Sequence, residues 1–235
     1  MIRGGYYFDS TYILILIGFV IAMAASASMK SAYNKYRQIR CMAGLTGAEV
    51  AAKVLRSAGI GDVQIRPVSG SLTDHYDPRS KTVNLSDEIY RGTSIASVSV
   101  AAHECGHAIQ HHVGYAPLTF RSSMVPVVNI GSNLSWPIFF AGLLLGVPVL
   151  ATVGIVLFSL AVLFQLVTLP VEFDASRRAL IKIEELGIVG ADEHAGAKKM
   201  LTAAALTYVA ALLQSILQLL RLIMIANRNS SRRRR

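Results

Sequence analysis

Two histidines flank a glutamate at helical spacing in the segment His103-Glu104-Cys105-Gly106-His107. On an α-helix, side chains at positions i and i+4 lie one turn apart on the same face, so both imidazoles can converge on one metal ion. Glu104 would then lie beside the ion, where its carboxylate can accept a proton from an attacking water and later donate it to a leaving amine. These residue types at this spacing are typical of a catalytic zinc site that cleaves peptide bonds.

The residues around this segment predict a helix with one buried side. Small and apolar residues recur on a single stripe, namely Ile95, Val98, Ala102, Cys105 and Ile109. His103 and His107 point away from that stripe, so the helix is expected to present both histidines to a cleft. Gly106 keeps the helix slim enough for close packing, and Cys105 is interpreted as a small core residue.

A catalytic zinc ion needs a third protein ligand and leaves a fourth position for water. His111 continues the histidine spacing, but it lies about 12 Å of helical rise beyond the first histidine, too far to share the ion. A carboxylate from elsewhere is required, and Glu172 stands out because it lies just beyond a long apolar stretch. Asp174 is the next candidate ligand. The alternative for Glu172 is an ion pair with Arg177 or Arg178.

The elements that must position these residues belong to a membrane protein. Of the 235 residues, 53% are hydrophobic and only 16% are charged. Neither Tyr12 to Ala27 nor Ser122 to Val171 contains a charge. The second stretch is long enough for two spans of about 20 residues each, with Gly146-Val147-Pro148 as the turn. Leu201 to Ala226 is expected either to span the bilayer while facing other helices or to lie in the interface.

Charge around the first apolar segment predicts the orientation. Four cations follow it closely and Arg3 alone precedes it, so the positive-inside rule places the next polar region in the cytoplasm. We interpret the segment as an uncleaved anchor rather than a secretory signal. The chain is thus expected to be a multi-pass protein of the cell membrane, with the histidine motif on the cytoplasmic side. If Leu201 to Ala226 crosses, the arginine-rich tail ends outside, against the rule.

The polar region after the anchor predicts a small soluble insert. Thr46-Gly47-Ala48-Glu49 has the pattern of a capping box that begins a short amphipathic helix. Val63 and Ile65 alternate with polar residues. Leu72 to Tyr76 and Thr82 to Leu85 flank a turn sequence, which predicts a small antiparallel β-hairpin.

Five segments are therefore expected along the chain. They are an N-terminal membrane anchor at 1–28, a cytoplasmic catalytic insert at 29–121, a transmembrane helical hairpin at 122–171, a third-ligand segment at 172–200, and a C-terminal membrane helix with a basic tail at 201–235. The net charge is +9. The basic tail lacks interleaved aromatic residues and any nucleic-acid motif, so the expected partners are the lipid bilayer and a polypeptide, and not nucleic acid.

Longer motifs surround the histidine segment. They are Leu72 to Arg79, Val100 to His111, Gly114 to Leu118, Leu169 to Arg178, and Gly196 to Tyr208. On these residues the chain resembles the neutral zinc metallopeptidase family typified by the bacterial membrane protease YugP, and it is more distantly similar to HtpX-type membrane proteases. The resemblance implies a mainly α membrane protein with a zincin-like, gluzincin catalytic domain and one Zn²⁺ per chain. It also implies an endopeptidase, with a role in membrane-protein quality control.

The resemblance assigns roles to individual residues. It implies His103, His107 and Glu172 as the zinc ligands and Glu104 as the catalytic residue. The HtpX-type pattern has Asp where this chain has Ser176, which leaves the orientation of the ligand histidines unexplained.

Gluzincins often bind substrate by strand addition to an edge strand beside the zinc helix. The candidate substrate-binding residues are accordingly Leu72, Thr73, Asp74 and His75, with a purely structural hairpin as the alternative. His194 and Tyr208 are polar candidates for stabilising a developing oxyanion, although spacing fixes neither.

Two other classes of function compete with an endopeptidase. A zinc-stabilised membrane scaffold or pseudoprotease would bind the metal without hydrolysis. A small transporter or channel would carry ionisable residues within its spans, and the stretch from Ser122 to Val171 has none. The intact combination of Glu104 with both histidines and Glu172 favours an active enzyme.

Overall fold

A computed structural model describes the backbone of residues 11–233 and the side chains of residues 11–229. The helices are α1 (Tyr12–Tyr36), α2 (Gly47–Ser57), α3 (Asp87–Arg91), α4 (Ile95–His112), α5 (Ala116–Leu145), α6 (Pro148–Glu185) and α7 (Ala191–Arg233). The strands are β1 (Gln64–Val68), β2 (His75–Asp77) and β3 (Thr82–Ser86). The predicted mainly α membrane fold with a small β element is confirmed.

Among the residues that the structure describes, four helices are long and apolar enough to cross a membrane. The qualifying segments are Tyr12–Tyr36, Ala116–Leu145, Pro148–Glu185 and Ala191–Asn229. The predicted turn between the second and third of these is also confirmed, since Gly146 has a left-handed φ of 68° and Pro148 begins α6. Proline suits the first turn of a helix because its missing N–H would have no intrahelical partner there. Leu201 to Ala226 lies inside α7, so its length is compatible with a span.

The chain divides into two compact units, each built from parts of the long helices. Of the described residues, one unit combines 11–24, Ser123–Leu166 and 209–233. Its buried cluster contains Phe139, Ala151 and Leu222. The other unit comprises Ala25–Ser122 and Val167–Tyr208, and it contains the histidine motif.

Within this second unit, α4 forms the centre of the core. Every residue of the predicted stripe is buried, with exposed fractions between 0% and 7%. Helix α2 packs against α4, and Val50, Val54 and Leu55 are buried on α2. Its N-terminus is the predicted capping box, in which Thr46 Oγ1 accepts from the Glu49 N–H and the Glu49 carboxylate accepts from the Thr46 N–H. Local sequence therefore determines where this helix begins.

The sheet differs in part from the predicted hairpin. β2 and β3 pair antiparallel as expected, with Tyr76 opposite Val83. β1 adds a parallel strand on the other side of β3, so β2 is an outer strand of the order β1-β3-β2. β2 begins only at His75, and Leu72 precedes it with a left-handed φ of 58°. A left-handed residue cannot continue a strand, which explains why the pairing starts later than predicted.

Candidate metal centre

Three side chains from two helices converge on one point in the second unit. The Nε2 atoms of His103 and His107 lie 3.4 Å and 3.6 Å from Oε2 of Glu172. One ligand atom from each residue lies within 4.8 Å of the other two, and among the described residues this is the group able to hold a metal ion. Helix α4 supplies both imidazoles and helix α6 supplies the carboxylate.

The chemistry of this group fits a zinc ion. Glu172 is only 3% exposed, and its Oε2 accepts no hydrogen bond from any described residue. A buried carboxylate oxygen that faces two imidazole nitrogens without a hydrogen bond is costly, so the site calls for a cation. Two imidazoles and one carboxylate form a donor set that zinc takes in catalytic sites, where a further position stays open for water.

Close contact between α4 and α6 brings the ligands together. A Cβ atom on Gly106 would lie 2.5 Å from the carbonyl oxygen of Ala175, so only glycine permits the two backbones to approach this closely. Val171 and Ala175 are fully buried on either side of Glu172 along α6. This packing fixes the position of Glu172 along the axis of α6 and the direction in which it faces relative to the two histidines.

The second nitrogen of each imidazole also has a partner. Nδ1 of His107 lies 3.1 Å from Oε1 of Gln110, and the Nε2 of that amide donates to the carbonyl of Val171 at 2.8 Å. Because the amide nitrogen already donates, its oxygen must accept from the His107 Nδ1–H. Nδ1 of His103 lies 3.2 Å from Oγ of Ser176. Such partners fix the tautomer and orientation of ligand histidines and leave Nε2 free to coordinate.

These contacts resolve what the sequence left unexplained. Ser176 occupies the position where Asp was expected and contacts His103 directly. Gln110 was missed, although its position three residues after His107 places both side chains on the same helix face. Its other partners lie more than 60 residues away in sequence.

Glu172 and Asp174, the two acidic residues considered as the third ligand, have different partners. The side chains of Arg177 and Arg178 both contact the Asp174 carboxylate rather than Glu172. Asp174 also accepts a hydrogen bond from Gln110 at 3.0 Å. Glu172 instead faces the histidines, with Nη1 of Arg121 3.7 Å from its Oε1. Asp174 therefore lies in an ionic cluster beside the candidate ligands.

Glu104 shares one cavity with this centre. The cavity has a volume of about 160 Å³ and is also lined by His103, Glu172 and Ser176. Glu104 is 7% exposed, so its carboxylate is largely withdrawn from bulk water. Tyr208 lines the same cavity, whereas His194 lies elsewhere and contacts Glu184 at 3.5 Å. Of the two residues considered for oxyanion stabilisation, Tyr208 is the one placed beside the centre.

The four predicted substrate-binding residues lie in different surroundings. Leu72 and Asp74 line the cavity. The Thr73 hydroxyl donates to the carbonyl of Ser69, and His75 begins the outer strand β2. The Asp74 carboxylate accepts from the Ser86 N–H at 2.7 Å, and burial raises the pKa of the Asp74 carboxyl despite that hydrogen bond.

Other ionisable or reactive side chains lie outside the metal centre. His111 contacts the Tyr76 hydroxyl at 2.8 Å and lines a separate cavity of about 240 Å³ with Asp62 and Lys81. Cys105 is fully buried, and burial raises the pKa of its thiol. Both observations agree with the sequence-based expectations that His111 is too distant to be a ligand and that Cys105 is a core residue.

Comparison with known proteins gives a consistent assignment. The profile of the family described as "Putative neutral zinc metallopeptidase" matches residues 11–227. The chain is also similar to the "Putative membrane protease YugP" of Bacillus subtilis (strain 168), with 49% identity over 201 residues, which cover 86% of this chain and 89% of that protein. No solved structure matches the chain. With the match running through both helices that carry the candidate ligands, the chain belongs to this neutral zinc metallopeptidase family.

Proposed function

We propose that the protein is a zinc-dependent membrane endopeptidase of the gluzincin type. This proposal rests on one observation above the others, the convergence of His103, His107 and Glu172 on one point, with Glu104 lining the same cavity as His103 and Glu172. The catalytic machinery would combine the insert at 29–121 with the segment at 172–200. One zinc ion per chain would be held by the two Nε2 atoms and the Glu172 carboxylate.

Each residue near the centre has a role that its contacts support. A zinc ion bound there would supply a Lewis acid that makes water a nucleophile near neutral pH. The Glu104 carboxylate accepts a proton from the attacking water and passes it to the nitrogen of the leaving amine. Tyr208 lines the cavity, and its hydroxyl would donate a hydrogen bond to the carbonyl oxygen of the peptide as that oxygen gains charge. Ser176 and Gln110 hold the two imidazoles in place.

Membrane location supports the class of substrate. Within residues 11–233, four helices are long and apolar enough to cross a bilayer, and the positive-inside rule favours a cytoplasmic catalytic site. Glu172 belongs to α6, whose N-terminal part is one of these apolar stretches. Polypeptides near the cytoplasmic membrane surface are therefore the proposed substrates, and quality control of membrane proteins is the proposed role.

The decisive comparison is between the wild type and Glu104→Gln in detergent. Both proteins should bind about one zinc per chain by elemental mass spectrometry, because Glu104 is not a proposed ligand. Wild type should cleave unfolded polypeptides, whereas Glu104→Gln should lose at least about 100-fold of that activity, the scale on which general acid–base catalysis operates. Equal zinc content with no hydrolysis by either protein would instead support a zinc-stabilised membrane scaffold.

A further inference from the structure

The cavity beside the candidate metal centre has an extended apolar lining. Its polar lining adds Tyr33 to the residues already described, and apart from Leu72 its apolar side chains come from three helices. They are Met29, Val100, Met200, Leu201, Ala204 and Ala205. Four of these six residues lie on α7, a helix that supplies none of the three candidate metal ligands. The catalytic groups therefore share their cavity with a surface suited to an apolar side chain.

The size of this cavity matches one such side chain. Its volume is about 160 Å³. Apolar cavities of about 150 Å³ in protein interiors bind a molecule of benzene. A leucine, methionine or phenylalanine side chain is of this order, whereas an alanine side chain would leave most of the space unfilled.

Small residues on α7 keep this space open. Ala204 is half-buried and Ala205 is buried, and both line the cavity. A larger residue at position 204 would occupy volume that is now available. Met200, one turn before Ala204 and 3% exposed, also borders the cavity and limits it through a long, adaptable side chain.

The apolar lining continues along the same pair of helices. A second cavity of about 360 Å³ between α6 and α7 shares Ser176, Leu201 and Ala205 with the first. Its other apolar members are Leu180, Phe173 and Ile181, of which the last two are 45% and 40% exposed. Its polar and charged members include Arg177, Glu184, His194 and Lys198. A polypeptide with neighbouring apolar residues would find apolar surface in both cavities.

We propose that the α7 wall of the catalytic cavity binds an apolar side chain of the substrate next to the scissile bond, and that Ala204 determines how large that side chain can be. This rests on the proposed endopeptidase function. Because Glu104 and Glu172 line the same cavity, the residue whose side chain fills it must have its backbone within reach of them. Leu, Met and Phe are then preferred over Gly, Ala and charged residues at one position flanking the cleaved bond.

The test is a digest of a randomised peptide library, with the cleaved bonds mapped by mass spectrometry. Wild type should show enrichment of Leu, Met and Phe at one flanking position. Ala204→Phe should lower the preference for these residues over Ala by about tenfold or more, the discrimination that apolar pockets give for small changes in size. Ala195→Phe is the matched control, because Ala195 is exposed on the same helix and lines neither cavity.

A second variant keeps the test decisive if Ala204→Phe fails to fold or loses zinc. Met200→Ala enlarges the cavity and should extend the preference to tryptophan. An unchanged cleavage pattern in a zinc-loaded Ala204→Phe or Met200→Ala protein overturns the inference, as does a wild type without side-chain preference.

A measurement of peptide binding distinguishes a failure of this inference from a failure of the proposed function. Fluorescence anisotropy with Glu104→Gln should show tighter binding of a leucine-containing peptide pool than of the matching alanine pool, and Ala204→Phe should abolish the difference. A zinc-loaded wild type that cleaves nothing but retains this binding preference overturns the endopeptidase proposal alone. Equal binding of both pools overturns the apolar pocket.

Discussion

Nδ1 of His107 donates a hydrogen bond to Oε1 of Gln110, and the same amide donates to the backbone of α6 at Val171. Gln110 thus connects one candidate metal ligand to the helix segment that carries another. Its side chain is fully buried, so no water can replace the lost contacts without entering the core. The metal affinity of the centre should therefore depend on a residue that never touches the ion.

Replacing Gln110 tests this connection. Gln110→Ala should weaken zinc binding by about 10- to 100-fold, which is the usual effect of losing a hydrogen-bond partner of a ligand histidine. Gln110→Glu retains an acceptor for His107 but turns its second oxygen toward the Val171 carbonyl and the Asp174 carboxylate, so it should bind zinc no more tightly than Gln110→Ala. Affinity is measured by competition with a chromophoric chelator. Gln64→Ala, at an exposed position of β1, is the control and should leave affinity unchanged.

The identity of the third ligand gives a second prediction. Glu172→Ala and His107→Ala should each remove zinc from a folded protein, since three protein ligands are needed to hold the ion. Asp174→Asn should retain near-stoichiometric zinc because its carboxylate faces Arg177 and Arg178. Elemental mass spectrometry after gel filtration provides the measurement. Zinc retained by Glu172→Ala but lost from Asp174→Asn would reverse the two assignments.

Local sequence patterns predicted much of this site, but they did not predict the contacts between residues that are distant in sequence. The spacing of His103 and His107 determined their common face, and the charge-free stretch before Glu172 singled out that carboxylate. The roles of Gln110 and Ser176 were not foreseen, because the Gln110–Val171 and Ser176–His103 contacts join α4 to α6, and no local pattern specifies the relative position of these helices. The parallel pairing of β1 with β3 was missed for the same reason. Leu72 was placed in a strand because its left-handed backbone has no sequence signal in a residue of this type.

The contact between Gly106 and Ala175 gives a third prediction. Gly106→Ala would place a methyl group 2.5 Å from the Ala175 carbonyl oxygen and push α4 away from α6. Overpacking of this kind costs about 1–3 kcal/mol. Because the displaced helices carry different ligands, zinc affinity should fall together with the midpoint of thermal unfolding. Gly61→Ala is the control, since a Cβ atom there meets nothing within 4 Å. Unchanged affinity in Gly106→Ala would show that the centre tolerates helix separation.

Burial of the cysteines gives a fourth prediction, which depends on pH. Cys41 and Cys105 are 1% and 0% exposed, and burial raises the pKa of both thiols. Thiolate is the reactive form, so a raised pKa keeps both groups neutral and unreactive as the pH rises through the range where free cysteine ionises. The native protein should resist maleimide from pH 7 to about pH 9, and the denatured protein should take up two labels. Rapid native labelling at pH 9 would show that one thiol is accessible.

Because both native thiols are expected to be unreactive, maleimide labelling of a single introduced cysteine reports on which side of the membrane that residue lies. Ser71→Cys lies at an exposed position in the polar region that the positive-inside rule assigns to the cytoplasm. Val147→Cys lies at the turn of the predicted transmembrane hairpin, which carries no charge and which the same rule therefore places outside. A membrane-impermeant maleimide should label Val147→Cys in right-side-out vesicles and Ser71→Cys in inside-out vesicles. The unmodified chain should remain unlabelled in both. The reverse pattern would place the catalytic cavity outside the cell, because Leu72, the neighbour of Ser71, lines it.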